Sequence, residues 1–165
     1  MKRAVFTVMI LVVFLCSCKK QVSFEAKTSG FRCDAHVEYN QTELECELGV
    51  GENGDFYAEI QAPQSLKGMK LEWKAEKVTV SYLGISKEID PDSIPYFNYA
   101  KTIRSVLGEV KGSLLATAEN LGYSYSGVGS SGEYEIEFRA DGFPIKISVP
   151  SSGLCVTLSN FEYVY

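Results

Sequence analysis

The stretch whose reading decides the fold is FRCDAHVEYNQTELECELGV, residues 31–50. Phe31, Cys33, Ala35, Val37 and Tyr39 alternate with Arg32, Asp34, His36, Glu38 and Asn40. After a turn near Asn40-Gln41 the period of two resumes, with Leu44, Cys46, Leu48 and Val50 on one face and Glu43, Glu45 and Glu47 on the other. Successive side chains of an extended chain point to opposite sides, so this alternation predicts two half-buried strands. Their sheet has one apolar and one wet face, as antiparallel sheets permit.

The same pattern continues toward the C-terminus. Asn53-Gly54 marks a turn, after which Phe56, Ala58, Ile60 and Ala62 alternate with Tyr57, Glu59 and Gln61 until Pro63 withholds a backbone donor. Met69, Leu71 and Trp73 form a further apolar row, followed by Val78, Val80 and Tyr82 and a short strand over Ile85–Ile89. Asp90-Pro91-Asp92-Ser93-Ile94-Pro95 interrupts the β period with two prolines. A helix is expected over about Tyr96–Val110, since Tyr99, Ile103, Val106 and Leu107 fall at helical spacing. Asp92 or Ser93 would cap it. Strands follow at Leu114–Ala118, Tyr123–Gly127, Tyr134–Phe138, Phe143–Val149 and Leu154–Asn160. The chain therefore reads as mainly β (α+β): about eleven short strands, one substantial helix and no internal repeat.

Toward the N-terminus the character changes. Lys2 and Arg3 precede an uncharged apolar run, Ala4–Leu15, and then Leu15-Cys16-Ser17-Cys18. A dozen apolar residues are too few for a permanent span of a ~30 Å hydrocarbon core. The pattern is that of a bacterial lipoprotein export signal, with residues 1–17 removed and Cys18 carrying the lipid. Residues 18–30, polar with only scattered apolar side chains, read as a lipidated cysteine and a spacer, and residues 31–165 as one domain. Lys19 and Lys20 add a weak attraction to anionic headgroups. The expected location is extracytoplasmic, anchored to a bacterial membrane.

The whole chain carries 16 basic and 21 acidic side chains, a net charge of −5. Loss of Lys2 and Arg3 with the signal would leave 14 against 21, a net of −7. Nucleic-acid binding demands the opposite balance, because phosphates must be neutralised by Lys and Arg. No nucleophile elbow, phosphate loop or dinucleotide fingerprint is present, and no catalytic role, cofactor or metal is expected. His36, the sole histidine, faces Glu43 or Glu45 across the hairpin and reads as a surface pair. Of the cysteines left after processing, Cys33 and Cys46 share the apolar face. A loop at Tyr39-Asn40 would set them opposite each other as a possible disulfide, whereas a loop at Asn40-Gln41 would set Cys33 against Leu48. Cys155 is expected to be unpaired and buried in the last strand.

The order of elements resembles the bacterial lipoprotein-carrier (LolA/LolB-like) superfamily, which includes lipid-transporting and spore-germination lipoproteins. Residues 56–68 (FYAEIQAPQSLKG) look like its strand ending in proline with a following Leu-x-Gly loop. Met69–Tyr82 looks like its next hairpin, and Ile89–Pro95 like its link into a helix. The likeness covers most of Phe31–Phe161; a long helix before the first strand and a strongly basic entrance are absent from this chain. The resemblance implies a curved, incomplete antiparallel barrel whose concave face meets acyl chains or a protein partner. Eleven strands at ~4.8 Å spacing would be roughly 50 Å across, more than one helix ~10 Å wide can cover. Phe31, Val37, Leu44, Leu48, Phe56, Ile60, Leu71, Trp73, Val80 and Tyr82 are the expected apolar-ligand face, unless the sheet closes around its own side chains. The alternative function is an envelope scaffold that binds a protein and holds no ligand.

Overall fold

The computed structural model describes residues 21–75, 77–90, 98–119 and 122–164. Alternation does what the sequence demands of it: β2 (Phe31–Tyr39) and β3 (Thr42–Val50) pair antiparallel with their apolar residues buried in phase. The other strands are β1 (Gln21–Ala26), β4 (Phe56–Ala62), β5 (Lys70–Lys74), β6 (Lys77–Tyr82), β7 (Ile85–Ile89), β8 (Gly112–Glu119), β9 (Gly122–Gly129), β10 (Gly132–Arg139), β11 (Pro144–Val149) and β12 (Leu154–Tyr163). They form one antiparallel sheet in the order β1-β8-β9-β10-β11-β12-β2-β3-β4-β5-β6-β7. β1 and β7 are its two edges, so the sheet is open.

Three expectations need correction. Gln21–Ala26 is not spacer but β1, paired with β8, and it joins the eleven expected strands to give twelve among the described residues. Its few apolar residues suffice because Phe24 stacks on Tyr123 with ring centroids 4.4 Å apart and packs on Phe138 at 4.9 Å. Cys33 and Cys46 are free, buried thiols, not a disulfide. Asn40 and Gln41 form the two-residue loop at φ 47° and 67°, which sets Cys33 opposite Leu48 and Cys46 opposite Ala35. Burial pushes both thiols up to about 12, where they are unreactive small hydrophobes. Cys155 is unpaired but only half-buried, since Leu154 and Val156 take the inward positions and it faces outward between Ser148 and Glu38.

One α-helix lies among the described residues, α1 (Asn98–Glu109). The expected cap, Asp92 or Ser93, lies outside the described residues, as do Cys18 and the signal. α1 lays Tyr99, Ala100, Ile103, Val106 and Leu107 into the same core as the apolar face of the sheet. Polar contacts pin it. Arg104 Nη2 donates to Ala75 O (3.2 Å) and Thr28 Oγ1 to Val110 O (2.7 Å). Ser130 N donates to Glu109 Oε1 (3.2 Å), and the Ser130 and Ser105 hydroxyls lie 2.8 Å apart. The sheet therefore stays open while most of its apolar face is buried, an outcome between the two the sequence left standing.

Candidate functional site

Each member of the expected apolar face can now be placed. Phe31, Val37, Leu44, Leu48, Phe56, Ile60, Leu71 and Trp73 are brought together in one buried cluster that also includes the inner stripe of α1. Val80 is half-buried at its margin, and Tyr82 falls outside it, its hydroxyl donating to Ser65 O at 2.7 Å. Burial falls away along β6, from Val78 inside to Tyr82 near the hairpin tip. Most of the face is thus core, and a charge at Leu71 or Trp73 would test stability rather than binding.

The face opens at one corner. Cross-strand pairing aligns Phe31, Val50, Phe56, Trp73 and Val78 in one row over five strands. The row forms because β2 and β4 each begin with phenylalanine immediately after a turn. Gly30 N donates to Val50 O (2.7 Å) at one of these turns, and Gly51 N to Asp55 O (2.8 Å) at the other. Phe56 and Trp73 meet edge to face at 5.6 Å. With Gly49, Gly51 and Val164, the side chains of Phe31, Val50, Phe56 and Trp73 line a mainly apolar pit of about 170 Å³, bordered by Asp55, Tyr57, Glu72 and Lys74. Val164 N donates to Gly30 O (3.0 Å), which holds Val164 at the rim. Drug-sized ligands occupy ~300–1,000 Å³, so this pit has room for a short apolar segment only.

Its rim is polar and built on a glycine. A Cβ on Gly49 would lie 2.0 Å from Tyr57 Cε1, so the tyrosine ring lies where any side chain would be. Tyr57 donates to Glu47 Oε1 (2.6 Å), and its phenol is pushed up by burial and by that carboxylate. Lys70 Nζ sits 4.8 Å from the Tyr57 ring and pairs with Glu72 at 3.0 Å. Sequence reasoning placed Phe31, Phe56 and Trp73 on the right face but missed Val164 and the glycines, because a pit at strand ends leaves no periodic signal. A second, more polar cleft of about 410 Å³, lined by Lys27, Lys111 and Glu52 among others, adjoins it across Val164.

Elsewhere, His36 is the expected surface pair, its Nδ1 2.8 Å from Glu45 Oε1 and its Nε2 3.7 Å from Glu38. The Glu45 hydrogen bond raises its pKa above 6.5. A raised folded pKa means that the stabilisation is fully present below the unfolded value and is lost as pH climbs through the folded one. Wild type is therefore expected to exceed His36→Gln in stability by more at about pH 5.5 than at about pH 8.5, by a small margin because the pair is exposed. Urea unfolding at both values checks this; an equal difference at the two would contradict it. Among the described residues no group of three or more His, Cys, Asp or Glu side chains is arranged to hold a metal ion.

No protein-family model matches this chain, and no curated protein does. Among solved structures, an uncharacterized conserved protein from Thermus thermophilus is similar at 11% identity and TM-score 0.47, covering 83% of this chain and 80% of that one. A LolA superfamily protein from Nitrosomonas europaea is similar at 8% identity and TM-score 0.43, covering 90% and 88%. Neither likeness is close enough to assign the chain to a family.

Proposed function

We propose that this is an extracytoplasmic, membrane-anchored binding protein that takes the end of an acyl chain, or another slim apolar group, in the pit of Phe31, Val50, Phe56 and Trp73. The observation that carries this reading is the pit itself: buried aromatic side chains border an opening there, whereas most of the rest of the apolar face is closed core. Trp73 is the only tryptophan and lines the pit, so its emission reports occupancy. Titration with fatty acids of graded length is expected to give a saturable change. Val164→Asp places a charge on the rim and is expected to weaken binding about tenfold. Leu115→Asp, an exposed position on β8, is expected to leave it unchanged. An unresponsive Trp73, with an empty protein by native mass spectrometry, would exclude the ligand. The covered interior favours that second reading, a scaffold whose partner co-purifies in place of lipid.

Anchoring rests on Leu15-Cys16-Ser17-Cys18. Cys18→Ala is expected to leave the precursor unprocessed or to release the protein from the membrane, since stable anchoring takes two acyl chains and one binds only marginally. Detergent partitioning measures this. A mature-sized product retained by the membrane as before would remove the anchor from the proposal.

A further inference from the structure

The β6–β7 hairpin ends in an apolar tip for which the fold has no use. Tyr82 pairs with Ile85, so Leu83 and Gly84 are a two-residue loop, with φ 50° and 80°. Positive φ at both positions is the signature of a type I′ turn, which favours Asn, Asp or Gly. The β2–β3 hairpin makes the same kind of loop and puts Asn40 first, at φ 47°. Leucine at that position brings its Cβ against the following carbonyl. Such strain is ordinarily offset by burial, yet Leu83 is 82% exposed, the most of any large hydrophobic side chain described, and Ile85 is 74% exposed. A position that breaks a local rule without return inside the fold points to something outside it.

Charge indicates what that is. Lys87 faces Val80 across the hairpin, and Lys67 lies in the adjoining loop whose Ser65 carbonyl accepts from Tyr82. Both are exposed, and neither has a carboxylate partner among the described residues. Lys70 is paired with Glu72, and Lys77 with Glu88 farther from the tip. In a chain of net charge −5 the tip thus joins protruding apolar side chains to two free cations. Apolar residues collared by lysine suit the boundary between anionic headgroups and acyl chains. We propose that the Leu83-Gly84-Ile85 tip inserts into an anionic membrane surface, as a contact separate from the N-terminal lipid and independent of the pit.

The test places an environment-sensitive nitrobenzoxadiazole label at Ile85→Cys in the full chain with Cys155→Ser, and subtracts the labelled Cys155→Ser parent. On vesicles of phosphatidylglycerol and phosphatidylcholine, emission is expected to rise at least about twofold and to be quenched by doxyl lipid. The response is expected to shrink on phosphatidylcholine alone and with Lys67→Glu plus Lys87→Glu. Adding Leu83→Asp should abolish it. The same label at Val128→Cys, on β9 and 78% exposed, should stay aqueous. Position 85 remaining as aqueous as position 128 would overturn the proposal. So would a response without vesicles that grows with protein concentration, which would assign the tip to a second copy of the chain, or one indifferent to lipid charge.

Discussion

Ile103→Ala is expected to lower the unfolding free energy by ~2–5 kcal/mol, read as an earlier urea midpoint at unchanged slope. Ile103 is fully buried on the inner stripe of α1, in one cluster with Leu48, Ile60 and Leu71 of the sheet. Truncation loses the transfer free energy of the removed carbons and leaves a cavity that the surrounding strands, hydrogen-bonded on both sides, cannot close. Against the ~5–15 kcal/mol typical of a domain this is a large share. The measurement also bears on binding. A loss below ~1 kcal/mol would mean that α1 rests loosely on the sheet and that the residues beneath it are available to a ligand after all.

Gly122→Ala is expected to be as damaging, and Gly49→Ala much less so. A Cβ on Gly122 would lie 1.8 Å from the carbonyl oxygen of Phe138, which belongs to the paired strand β10. Backbone cannot step aside without breaking the ladder, and a loss above ~3 kcal/mol is expected. At Gly49 the obstacle is the Tyr57 ring, which can swing away at the cost of its hydrogen bond to Glu47, ~1 kcal/mol. Thermal unfolding of the pair measures the contrast. Equal losses would show that the β9–β10 ladder yields where the geometry says it cannot.

The long alternating segments were legible from sequence because burial on one face imposes a period of two that local noise does not hide. β2, β3, β4 and β10 are of that kind, and the helical stripe of α1 is as readable. β1 was not, since only Phe24 and Ala26 of its six residues are buried, too few to establish a period. The choice of loop at Asn40-Gln41, and with it the separation of Cys33 from Cys46, turned on one residue of register. The pit depends on which strand ends coincide in space and on Val164, just past β12, laid beside them. The tip at Leu83 was invisible for a different reason: an apolar residue in a strand pattern reads as inward until the turn is placed.

Strand order carries a consequence for how the chain acquires its shape. β2 to β7 form a run of neighbours in sequence, as do β8 to β12, but the two runs meet only where β12 lies against β2. Arg32 and Glu162, paired across that seam, stand 130 residues apart, and β1 waits for β8 in the same way. Contacts so distant along the chain form late, after local hairpins. The first meander can therefore form early, yet the two halves cannot join until β12 is available to β2. The architecture leaves the joining of the two halves to one seam formed between distant strands.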